Sequence, residues 1–223
     1  MASHPAASGA RRQDLPSIGY PMAAIVLAAL LVGLAAAYGL NAWLHRPPAR
    51  AAGEPTVTRS LVGRDLAIPQ SWFRDGPPPQ QGFATEIDLR LMLPLGPAGR
   101  LAPVAVTLLP LSQVKPSASL LDGVYLGQFM PNELSGPPGL VGKPLYPHEG
   151  FEGETVWYDA LSQNPFVAKC SASLDGNGPG QCLRSVALPH GLGAVYAFGA
   201  DLLPRWKDFD PLMEVALARI GAL

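Results

Sequence analysis

TEIDLRLML, Thr85 to Leu93, alternates strictly between apolar and polar residues along most of its length. Ile87, Leu89, Leu91 and Leu93 fall on one side, and Glu86, Asp88, Arg90 and Met92 on the other. Period two is the side-chain repeat of a strand, so the segment reads as a strand with one buried face. Outward from it the pattern recurs. Val104 to Leu109 follows the turn residues GPAG. Gly153 to Leu161, Phe166 to Ser173, Cys182 to Leu188 and Ala194 to Phe198 also read as strands, and Leu66 to Ile68 as a shorter one. Short connections between the last four long strands make them antiparallel neighbours.

Two helical segments accompany the strands. Ser117 to Met130 has Ser117 or Ser119 as N-cap, with Leu120, Leu121, Val124, Tyr125 and Phe129 toward the core. Gly123 and Gly127 weaken it. Near the C-terminus, Trp206, Phe209, Met213, Ala216, Leu217 and Ile220 recur at helical spacing. Asp210-Pro211 reads as an N-cap and first-turn pair, where a helix would restart after a short turn. The expected class is α+β: an antiparallel sheet with the middle and C-terminal helices packed on one face.

The two cysteines lie in KCSASLDGNGPGQCLR, Lys169 to Arg184. Cys170 and Cys182 stand six residues either side of Gly176, within a run rich in turn residues. A hairpin closed by DGNGPG sets them opposite each other, near the reach of a disulfide. A zinc site needs four ligands and a redox motif needs C-x-x-C; neither pattern surrounds them. The pair is expected to be a structural staple, which requires an oxidising compartment.

The N-terminal part is different material. Met22 to Leu40 runs 19 residues without a charge, and reaches 23 at Leu44. About 20 helical residues span a bilayer's hydrocarbon core. Tyr20 and Trp43 lie where interfacial aromatics belong, Pro21 suits a helix start, and Pro47-Pro48 stop it. The alternative is a cleaved signal peptide ending at Ala35-x-Ala37, but its leader of about 20 residues is long and the apolar run continues past the cut. The expected organisation is a cytoplasmic tail (1–20), a transmembrane helix (21–45), a Pro/Ala linker (46–58) and an extracytoplasmic domain (59–223). Arginines flank the helix on both sides, so charge bias does not orient it, and the staple does. The expected location is a bacterial inner membrane with the domain in the periplasm. Ala29, Gly33 and Ala37 form a ridge of small residues on which another membrane helix can pack.

Chemistry-bearing motifs are scarce. Net charge is −1 and the pI about 6.4, which gives no footprint for nucleic acid. No nucleophile elbow, zinc-protease helix or phosphate loop occurs, and no cofactor is implied. The strongest constellation is YPHEGFEGETVWY, with His148, Glu149, Glu152 and Glu154 as weak metal or acid–base candidates. The plainer reading of that stretch is a solvated acidic loop entering a strand. The expected function is a non-catalytic interaction domain on a single-pass anchor, as an accessory subunit or assembly factor of an envelope complex. The alternative is a membrane-anchored periplasmic enzyme or ligand-binding protein.

Overall fold

The computed structural model describes residues 54–76, 82–147, 153–173 and 178–223. The expected tail, transmembrane helix and residues 46–53 of the linker lie outside them. Among the described residues no helix is long and apolar enough to cross a membrane.

Strand β1 (Thr56–Leu61) pairs antiparallel with β2 (Arg64–Pro69), and β3 (Gly82–Phe83) runs parallel to β1 on its other side. The linker expected to end at residue 58 therefore gives way to strand already at Thr56. TVTRSL escaped the sequence reading because only Val57 and Leu61 of it are buried.

The second sheet has seven strands, all antiparallel, in the order β4-β5-β10-β9-β8-β7-β6. They are β4 (Ile87–Leu93), β5 (Ala102–Pro110), β6 (Val141–Pro144), β7 (Glu154–Tyr158), β8 (Val167–Ser171), β9 (Gln181–Ala187) and β10 (Leu192–Gly199). Short β6 was not expected, since a four-residue VGKP carries no periodicity. It pairs with β7 because Trp157 lies on Gly142, its cross-strand partner. A Cβ at Gly142 would stand 2.5 Å from that ring, so the position requires glycine.

Alternation sorts the side chains. Ile87, Leu89, Leu91 and Leu93 share a buried face with Val104, Val106, Leu108, Ala194, Tyr196 and Phe198. The C-terminal helix, Trp206–Ile220, covers that face through Phe209, Met213, Leu217 and Ile220. Phe209 meets Phe198 at 4.6 Å and Tyr196 at 5.8 Å between ring centroids. Leu61, Leu66 and Ile68 of the small sheet join the same cluster. The helix runs through Pro211 without restarting. The first four amides of a helix lack internal partners anyway, so a proline just beyond them removes only one bond. Asp210 is not a cap; its carboxylate is engaged by Arg184. The helix ends at Gly221 (φ 83), with Gly221 N–H donating to Ala218 O and Ala222 N–H to Leu217 O.

The middle helix differs from expectation in two ways. It is a chain of short turns: α over Ser117–Leu120, π over Leu121–Tyr125 and 3-10 over Leu126–Gln128. Two glycines and the lack of a side-chain cap explain why no regular helix forms. It also packs on the opposite face of the sheet. On β9, Arg184 reaches Asp210 of the C-terminal helix, while its neighbour Ser185 meets Ser117. Adjacent strand residues point to opposite faces. Leu121 and Tyr125 accordingly bury with Val156 and Val167 in a separate cluster. The two helical segments sandwich the sheet instead of sharing one face.

Candidate functional site

Cys170 on β8 and Cys182 on β9 are directly opposite in register and form a disulfide, with Cα atoms 4.0 Å apart. That spacing belongs to the closer class of antiparallel pair. Both cysteines are buried in the main core beneath the C-terminal helix, so the bond is a structural element.

Of the acidic constellation, only Glu154 is among the described residues. His148, Glu149 and Glu152 lie outside the described residues, as do Ala29, Gly33 and Ala37. Glu154 sits on β7, where both its carboxylate oxygens accept from Lys169 Nζ on β8, at 2.6 and 2.7 Å. An ammonium thus occupies the place a cation would take. Among the described residues no three His, Cys, Asp or Glu side chains are placed to hold a metal. His190 occupies a left-handed turn position (φ 60) between β9 and β10.

The sequence reading missed the most buried charge among the described residues. Arg184 is only 5% exposed. Its Nε and Nη2 donate to the two Asp210 oxygens at 3.0 and 2.6 Å, and Nη1 donates to Val167 O at 3.2 Å. The guanidinium also lies 4.5 Å from the Phe166 ring centroid. Desolvation is thereby offset by a bidentate pair, a carbonyl and a π face. The signal was present in the alternation: Cys182, Arg184 and Val186 share the inward face, so an arginine was due to need a buried partner. Beside it opens a cleft of about 380 Å³, lined by apolar Val186, Leu188, Met213 and Leu217 with Asp210, Glu214 and Asn164. Burial first, then the Asp210 carboxylate, holds the Tyr196 phenol well above its usual range. It stays protonated at neutral pH. The lining carries no Ser, Cys, His or Lys; its ionisable groups are Arg184, Tyr196, Asp210 and Glu214.

The opposite face is built differently. Residues 117–128 cover only part of it. Over β4, β5, β10 and β9 the outward positions include Met92 (52% exposed), Pro103, Ala105, Ala197, Val195 and Leu183 (43% exposed). An antiparallel sheet with a solvated face carries polar residues there; this one carries mainly apolar ones. A groove of about 260 Å³ opens at its margin, lined by Val114, Lys115, Ser117, Leu183 and Val195.

No family model matches the chain. No curated protein matches it either. Among solved structures, an immunity protein of the Stenotrophomonas maltophilia type IV secretion system shares the fold. Its TM-score is 0.51 at 11% identity, over 75% of this chain and 93% of that one. At this identity the likeness is one of architecture.

Proposed function

We propose that the chain is a single-pass inner-membrane protein whose domain, in the periplasm, binds another protein and does no chemistry of its own. Residues 1–20 are its cytoplasmic tail and 21–45 its anchor. The single observation that carries protein binding is the outer face of the seven-stranded sheet, where apolar side chains stand uncovered. The disulfide supports an oxidising compartment. The uncharged run from Met22 to Leu40 supports the anchor. An immunity protein of a secretion system uses the same fold, and a role of that kind, as an accessory or protective subunit in the envelope, is the reading we extend to this chain.

The test is purification of the full-length protein from native membranes, as wild type and as Leu183→Asp, with quantitative mass spectrometry. A reproducible protein partner should appear with the wild type. Recovery of that partner should fall about tenfold with the variant, as for loss of one central contact worth ~1.4 kcal/mol. Equal recovery, from a variant with an unchanged melting curve, contradicts the reading.

A further inference from the structure

We infer that the open sheet face receives an acidic amphipathic helix of the partner protein, seated between Arg90 and Leu183. This rests on the protein-binding reading above and specifies its partner element. Four residues lie in one register row across four strands: Arg90 on β4, Ala105 on β5, Ala197 on β10 and Leu183 on β9. Three strand spacings of about 4.8 Å put the outer two about 14 Å apart. A helix with its side chains is about 10–12 Å across. Leu183, 43% exposed, forms an apolar wall, and the two alanines between the walls let a helix backbone come close. Further along, Val195 continues the surface into the groove that Lys115 borders.

Charge decides what kind of helix fits. Arg90 and Lys115 are both exposed at the margins of this surface. Asp88 is the one carboxylate among the outward residues of these four strands. It is already engaged, accepting from Thr107 Oγ1 at 2.6 Å and lying 3.9 Å from Arg74. At the end of β10 the Asp201 carboxylate also lies over outward-facing Gly199, so Arg74, Arg90 and Lys115 stand on this face against Asp88 and Asp201, a small cationic excess, although the chain from Pro55 onward carries 12 Lys and Arg against 15 Asp and Glu. An apolar trough with cationic margins complements a helix bearing an apolar stripe flanked by carboxylates. A neutral helix would bury the same apolar area without the attraction, and a basic one would face repulsion from Arg90 and Lys115.

The experiment places a photo-reactive benzoylphenylalanine at Ala197, on the floor, or at Val215, on the C-terminal helix, in the full-length protein in native membranes. Irradiation should give a protein adduct from position 197 and none from position 215. Sequencing of the crosslinked peptide should show apolar residues at helical spacing with Asp or Glu beside them. Arg90→Glu and Lys115→Glu should each cut the adduct about tenfold, and Arg90→Gln less. Raising ionic strength from about 0.05 M to about 0.5 M should lower the wild-type yield. Several results overturn the inference: an adduct at 197 with a second copy of this chain, with lipid, or with a basic or non-helical segment, or one indifferent to charge reversal. A protein adduct from position 215 alone overturns the docking face while leaving protein binding in place. Absence of a protein adduct from both positions removes both.

Discussion

Arg184 and Arg205 show how far two ion pairs of the same shortest distance differ in consequence. Each has a 2.6 Å contact to an aspartate, Asp210 and Asp208 respectively. The Arg184 side chain is 6% exposed, while Arg205 and Asp208 are 43% and 51% exposed. Asp210→Ala strands a buried guanidinium and should cost about 3 kcal/mol, the lower end for such a break because Asp210 itself is partly solvated. Arg205→Ala should cost less than about 0.5 kcal/mol. Urea denaturation of both variants measures the contrast; equal losses would contradict it. Tyr196 adds a pH dependence. Its phenol is raised in the folded state by burial and then by Asp210. Its contribution is thus fully present below the unfolded value near 10 and is lost as pH rises above it. Wild type should lose stability above pH ~10 more steeply than Tyr196→Phe, as read by thermal melts across that range. Neither partner of Arg184 was legible in the sequence. The inward position of residue 184 follows from alternation, but Asp210 lies 26 residues away on a helix whose docking only the tertiary fold sets.

Local chemistry explains which elements the sequence discloses. β4 reads clearly because four inward positions in a row are buried aliphatics. The disulfide hairpin reads from spacing and turn residues. Replacing Cys170 and Cys182 together with alanine should lower stability by about 2–3 kcal/mol, since the unfolded hairpin regains its freedom. Denaturation of the oxidised wild type against the double variant checks it, and equal midpoints would contradict it. The β1–β2 hairpin was hidden. Its two-residue loop is Val62-Gly63, both at positive φ (53° and 72°), the geometry of a type I′ turn that Asn-Gly favours. A β-branched residue there is strained, and Val62 is half exposed. Val62→Asn should therefore stabilise the domain by about 1 kcal/mol, seen as a higher melting temperature. A lower one would count against the turn assignment. The middle segment misled in the other direction. Its apolar spacing is helical, but its two glycines break it into three kinds of turn.

At the scale of the whole molecule, the decisive feature is the inequality of the sheet's two faces. One is sealed by the C-terminal helix and the small sheet. The other is covered by irregular turns on one side and by Leu111 and Val114 over Gly193 at one end of β10, and is left open over the rest of β4, β5 and β10. Period-two reading finds both faces but does not say which elements cover them. That is why both helices were expected on the same side. Membrane topology belongs to this scale as well. Alkaline phosphatase fused after Leu223 should be active, and the protein should resist carbonate extraction; an inactive fusion would remove the periplasmic assignment. The proposed partner binding at the open sheet face is what the remaining inferences depend on. Hydroxyl-radical footprinting tests it most directly, comparing the full-length protein in native membranes with the same protein purified. Met92 and Leu183 report the open face, Val215 and Leu161 report exposed surface elsewhere, and buried Met213 serves as the internal reference. The account predicts that oxidation of Met92 and Leu183 falls sharply in membranes while Val215 and Leu161 oxidise alike in both states. Equal oxidation of Met92 and Leu183 in membranes and in isolation would contradict it.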